Sequence, residues 1–146
     1  MLALFAAWLW QPERQVRLHQ KHFLQAVERR NWRKVESFLS PDYLDQWGFN
    51  AHRLGPSMEE GFSQFLFLSI EQRLEECAVH GDSGSTKVTV RVKGSGGPMA
   101  QQAMSAVNAL RKPFTFTWRR ESGSLSDWRL ERVENEELTL HGLLSL

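Results

Sequence analysis

The sequence predicts an α+β domain in which N-terminal helices pack on one face of a curved antiparallel sheet of about four strands. Three observations predict it. Apolar residues recur at helical spacing through roughly the first half of the chain and mainly by alternation after Ser69, so helices come first and strands follow. At 146 residues the chain is long enough to bury one core without disulfides or metals. Its 18 basic and 17 acidic residues leave a formal charge of +1, so no whole-molecule field draws it to nucleic acid.

The first ten residues, MLALFAAWLW, are uninterruptedly apolar and give way to Gln11, Pro12, Glu13 and Arg14. A membrane-spanning helix needs about 20 apolar residues, and a secretory signal needs a basic start and a small-residue cleavage site. Neither fits. Two readings stay open. In one, Met1 is an internal start and the run is the remnant of a longer membrane anchor whose interfacial end is Trp8 and Trp10. In the other, the peptide docks on the domain's own surface or on a second subunit. Residues 1–11 are therefore set apart from a single domain over residues 12–146. The chain as written reads as cytoplasmic, and as membrane-anchored or exported if Met1 is internal.

Pro12 suits a first helical turn, with Glu13 near the positive helix end. Val16, Gln20, Phe23 and Val27 then step by three or four, predicting a helix to about Arg30 that Asn31 breaks. Trp32, Val35, Phe38 and Leu39 predict a shorter second helix that Pro41 ends. The basic cluster Arg29, Arg30, Arg33 and Lys34 sits at the junction and reads as a solvated face. Pro41 to Pro56 reads as a long loop. In it, Tyr43, Asp45 and Trp47 alternate before Gly48, which in an extended segment sends a phenol, a carboxylate and an indole to one side. The ordinary reading of Asp42 and Asp45, and the preferred one, is that they cap or turn the loop after Pro41. A third helix is expected from Pro56, with Ser57 and Glu60 at capping-box spacing and Phe62, Phe65, Leu66 and Ile70 on its buried side.

Ile70 to His80 reads as a strand with a bulge near Glu75 and Glu76, and Gly81 to Gly84 as a turn. Thr86 to Lys93 alternates cleanly, with Val88, Val90 and Val92 on one face. Phe114, Phe116 and Trp118 repeat the pattern, as do Trp128 and Leu130 after a Glu121 to Ser126 turn. The expected shared interior holds Trp32, Phe65, Val90, Phe116 and Trp128. Between the strands, GSGGPMAQQAMSAVNALRK lacks the Lys-Ser or Lys-Thr of a phosphate loop and any dinucleotide fingerprint. From Pro98 it reads as a short helix serving as flap, lid or dimer contact, or as a disordered loop.

The element order, together with the phrase AVERRNWRKVESFLSPDYLDQWG, resembles the nuclear transport factor 2-like, ketosteroid-isomerase-like superfamily. The resemblance covers about residues 12 to 140. It implies a cystatin-like cone whose sheet wraps the helices around an apolar cavity, and relatives include isomerases, dehydratases and domains without known activity. The interrupted hairpin at Gly94 to Lys112 departs from the compact pattern. In the isomerases a buried carboxylate takes a proton from carbon while donors hold the oxyanion, which would make Asp45 the base and Tyr43 or His52 the donor. Tyr43 is the only tyrosine and lies two residues from Asp45, and no second acid stands on the apolar strand faces. The preferred reading is accordingly a non-catalytic domain that binds a small apolar ligand or a protein partner, with Tyr43, Trp47, Phe65, Phe116 and Trp118 at the ligand. The alternative is a small isomerase or lyase using Asp45.

No cofactor is implied. His19 and His22 are three apart but lack further ligands, His52, His80 and His141 are scattered, and the lone Cys77 forms neither a disulfide nor a metal pair, so no metal site is read. A homodimer through the sheet is expected from the resemblance. Nucleic acid is not an expected partner, and a membrane is one only if the native N-terminus is longer.

Overall fold

The computed structural model describes residues 1–9 and 11–139, and the histidine at 141 and the tryptophan at 10 lie outside them. Five helices, α1 (Leu2–Leu9), α2 (Pro12–Glu28), α3 (Trp32–Ser37), α4 (Ala51–Phe62) and α5 (Pro98–Asn108), accompany four strands, β1 (Phe65–His80), β2 (Ser83–Gly96), β3 (Phe114–Arg120) and β4 (Trp128–Glu134). The strands form one antiparallel sheet in sequential order, curved and unclosed, with α2 lying across its apolar face. Strand alternation supplies that face. Val88, Phe116, Trp118, Trp128 and Leu130 are buried with Val16, Phe23 and Val27 of α2, because residues two apart on a strand and three or four apart on a helix share a side.

The end of α2 explains why the chain turns where it does. Arg30 adopts φ 56°, its N–H reaches the carbonyl of Val27, and the N–H of Asn31 reaches that of Ala26, each at 3.0 Å. This is a Schellman closure built on arginine where glycine is usual. The Arg30 guanidinium in turn donates to the Phe65 carbonyl at 2.8 Å, which ties the helix end to the start of β1. Asn31 then caps α3 by accepting from the Lys34 N–H at 3.2 Å.

Among the described residues the pairing of the sheet shifts register three times. The bulge expected near Glu75 falls between Leu74 and Glu76, another shift lies between Phe65 and Phe67 at the start of β1, and the third between Thr117 and Trp118 where β3 meets β4. Such shifts let the strands twist around α2. The segment after α3 runs beside β4: the Ser40 N–H donates to the Leu130 carbonyl at 2.9 Å, the Leu130 N–H to Phe38 at 2.7 Å and the Leu44 N–H to Glu131 at 3.0 Å. The loop that follows is thereby fixed against the sheet.

Several expectations are corrected. The third helix starts at Ala51, not Pro56, because Asn50 caps it by accepting from the His52 and Arg53 N–H groups. Pro56 is carried inside the helix, where its missing N–H forgoes one bond, and the Ser57 to Glu60 spacing is not a cap. The next strand begins at Phe65, so Phe65 and Leu66 belong to β1 and Leu66 is exposed. Of the five residues expected to share the interior, Phe116 and Trp128 are in the buried cluster, Trp32 and Val90 are half-buried against it, and Phe65 packs on Phe62 outside it. The turn after β1 is tighter than Gly81 to Gly84, since β2 starts at Ser83 and Gly81 takes φ 61°. The segment from Pro98 is a helix, and Asn108 at its end fastens it. The Asn108 side chain accepts from the Val92 N–H and donates to the Val92 carbonyl, both at 2.8 Å, doing for β2 what a neighbouring strand does where β3 does not reach.

Candidate functional site

A cavity of about 330 Å³ opens between the helices and the sheet. Phe23, Leu24 and Val27 of α2 form its floor, Leu54, Met58 and Phe62 of α4 one side, and Val90, Val92, Phe114 and Phe116 of the strands the other. Val107 of α5 and Leu138 also line it. Its size is at the low end for ligand pockets, and its exposed wall is apolar.

Tyr43, Asp45 and Trp47 all line this cavity, yet not by alternation along an extended segment. Turns at 41–42 and 46–47 flank a short segment in which Leu44 bridges Asn50, and the Asp45 carboxylate organises the second turn. Its Oδ1 accepts from the backbone N–H groups of Trp47 and Phe49, each at 3.0 Å, and Gly48 between them takes φ 89°, a conformation glycine adopts without strain. Its Oδ2 accepts the Tyr43 hydroxyl at 2.8 Å. Tyr43 and Asp45 are 2% and 3% exposed, so the pair sits out of water with each polar atom turned to the other or to backbone. Burial first, and then the neighbouring Asp45 carboxylate, push the Tyr43 phenol far above its ordinary range. The phenol therefore keeps its proton, and that proton is committed to Asp45.

Trp47 does a second job. Its indole N–H donates to the Leu138 carbonyl at 2.9 Å, and the Gln46 amide donates to the carbonyls of Asn135 and Leu138, also at 2.9 Å, while accepting from the Asn135 N–H at 2.6 Å. These bonds hold Leu138 at the cavity. Leu138, Met58 and Val107 are site residues that the sequence did not announce, because nothing local distinguishes them from ordinary core positions.

The remaining site expectations separate in space. Phe116 is on the cavity wall. Phe65 is not, lying at the margin against Phe62 with ring centroids 6.0 Å apart. Trp118 is buried deeper toward α2, where its indole N–H donates to Gln20 Oε1 at 3.1 Å, beside the Thr86 hydroxyl donating to the same oxygen at 2.7 Å. His52 is exposed in the first turn of α4 and does not line the cavity. His19 and His22 remain on α2, with His19 Nδ1 at 2.7 Å from the Gln15 carbonyl. Cys77 is half-buried, and burial raises its thiol above the ordinary range. Among the described residues no three His, Cys, Asp or Glu side chains gather as metal ligands would.

The chain resembles solved structures along most of its length. A conserved protein from Planctomyces limnophilus superposes with a TM-score of 0.62 at 19% identity, covering 82% of this chain and 91% of that one. A nuclear transport factor 2-like protein of unknown function from Pseudomonas putida does so with a TM-score of 0.60 at 13% identity, covering 83% and 82%. The fold is that of the nuclear transport factor 2-like superfamily. A protein from Streptomyces avermitilis described as a candidate dehydratase of the nuclear transport factor 2-like family has the same fold, with a TM-score of 0.61, 14% identity and 84% and 93% coverage. At these identities the likeness is one of fold. No family model matches the sequence, and no curated protein matches it. Tyr43 and Asp45 stand on the wall of the space between this chain's helices and its curved sheet.

Proposed function

We propose that this nuclear transport factor 2-like domain is a non-catalytic binding module whose cavity takes a small apolar ligand. The observation that carries the reading is the contrast between an apolar exposed wall and a polar pair whose bonds are already made. A general base needs an oxygen free to meet the substrate proton, and an oxyanion donor needs a proton free to give. Asp45 spends Oδ1 on two amides and Oδ2 on the phenol, and Tyr43 spends its proton on Asp45. His52, the other donor considered, is turned to solvent away from the cavity. Binding then draws on burial of apolar ligand surface, at about 25 cal/mol per Å² before the costs of association.

The test is titration of the purified chain with the apolar fluorophore N-phenyl-1-naphthylamine, with native mass spectrometry to count bound molecules. One probe per chain is expected, lost by at least tenfold in Val107→Trp, which fills the cavity from α5. Asp45→Asn should leave affinity within about twofold. Unchanged binding in Val107→Trp, or a tenfold loss in Asp45→Asn with an unaltered melt, would sink the reading and favour a carboxylate-using isomerase or lyase. A homodimer through the sheet belongs to the same proposal. Its face carries Lys93 with Glu71, Lys87 with Glu76 and Arg119 with Glu131 as ion pairs within the chain. Sedimentation as a monomer at micromolar concentration would count against it.

A further inference from the structure

We propose that α1 and the outward face of α2 together seat the chain on the surface of an anionic lipid bilayer, with α1 embedded at the headgroup boundary. Helix α1 reads LALFAAWL, eight residues without a polar side chain. Leu2 is 87%, Leu4 75% and Phe5 59% exposed, and at 100° per residue they fall with Trp8 within one arc of about 160°, with Ala3, Ala6 and Ala7 on the other side. A helix whose bulky apolar face stands open to water is satisfied where apolar material covers that face. Its length is about 12 Å, well short of the roughly 30 Å hydrocarbon core, and among the described residues no helix is long and apolar enough to cross a membrane. Lying in the interface is the arrangement left.

The charges beside α1 favour lipid over a second copy. The buried stripe of α2 is Val16, Gln20, Phe23 and Val27, and Arg14, Lys21 and Arg29 lie on the opposite side. The Arg14 guanidinium sits 3.4 Å over the Trp8 ring, so α1 is held on that outward side, next to the basic row. Lys34 of α3 lies beside His22 and Arg29 at the end of this row, and its sequence neighbour Arg33 is exposed. Among the described residues none of Lys21, Arg29, Arg33 and Lys34 has a carboxylate ion-pair partner, although the chain as a whole is nearly neutral. His22, among them, is held below its ordinary range by burial and then by Lys34, His19 and Lys21, all of them basic. A second copy of this face would bring like charges together. A bilayer carrying acidic headgroups meets both features, an apolar anchor and a basic patch, and stable attachment takes two such signals.

Vesicle sedimentation of the full chain tests this with phosphatidylcholine alone and with a 7:3 mixture of phosphatidylcholine and phosphatidylserine. The chain is expected to pellet with the mixture at low salt and at least tenfold less with phosphatidylcholine. Leu4→Glu with Phe5→Glu should abolish pelleting. Lys21→Glu with Arg29→Glu and Arg33→Glu should weaken it about a hundredfold, at about fivefold or more per basic side chain. Both variants alter exposed positions, so unchanged melting temperatures are expected and separate loss of binding from loss of fold. A chain that stays in solution with every vesicle, or that pellets equally well with the α1 pair changed, overturns the proposal. So does a dimer in light scattering that the α1 pair splits to monomer. Binding of duplex DNA that is indifferent to the α1 pair, with vesicles left unbound, would assign the basic row to nucleic acid instead.

Discussion

Replacing Tyr43 by phenylalanine removes one hydroxyl and tests the account of the buried pair. In the native chain that hydroxyl donates at 2.8 Å to a carboxylate that is 3% exposed. Hydrogen bonds to charged groups contribute about 1.5–3 kcal/mol, and little water reaches Asp45 Oδ2 to replace this one. For a chain of this size that is a fall in melting temperature of about 3–12 °C at pH 7. The pH dependence is more specific. Burial and Asp45 raise the phenol in the folded state, so the protonated form is the one that folds. The stabilisation is fully present below the unfolded tyrosine value of about 10, and above it the native chain loses about 1.4 kcal/mol per pH unit as the unfolded state sheds its proton. Tyr43→Phe has no such loss, so the stability difference should narrow above pH 10 and vanish between about pH 11 and 12. Urea unfolding of both proteins from pH 7 to 11.5 reads this directly. A variant as stable as the native chain at pH 7, or a difference that stays constant through pH 11.5, would refute the reasoning.

Gln20→Ala should destabilise by about 2–4 kcal/mol, because Gln20 Oε1 is the partner of both the Thr86 hydroxyl and the Trp118 indole N–H in a fully buried setting; chemical denaturation measures it. Gly94→Ala should cost about 1–3 kcal/mol or more, since a Cβ there would lie within 2.2 Å of the Phe67 carbonyl oxygen, which is backbone and cannot rotate aside; the melting temperature checks it. Asn108→Leu removes both bonds to Val92 and should speed amide hydrogen exchange at Val92 by at least tenfold while leaving Val88 protected by its pairing.

Much of the sheet could be read directly because each strand declares one apolar face. Val88, Val90 and Val92 alternate without a break, and Phe114, Phe116 and Trp118 do the same, so the inward face of each strand followed from period alone. Failures came where a local rule had a tertiary exception. Phe62, Phe65, Leu66 and Ile70 looked like one helical face, but Arg30 binds the Phe65 carbonyl and the chain enters β1 there. Pro56 looked like a beginning, whereas Asn50 had already started the helix and the lost bond was tolerated. At the cavity, Tyr43, Asp45 and Trp47 were legible as a group because they are neighbours in sequence. Their roles were not, since whether a carboxylate serves a turn or a substrate depends on which N–H groups face it, and that is set by folding of residues 47–49.

The strip from Phe38 to Leu44 that hydrogen-bonds along β4 has a consequence for how these molecules meet in a crowded solution. It occupies part of the donors and acceptors on that margin, so a foreign strand cannot extend the sheet there without first peeling the strip away. Strand β1 forms the opposite edge, and there Glu28 already claims the Ile70 N–H while Glu71, Arg73, Glu75 and Glu76 crowd the approach with charge. Fibrillar stacking through either margin is thus discouraged by two unlike devices, a fitted cover on one side and charged side chains on the other.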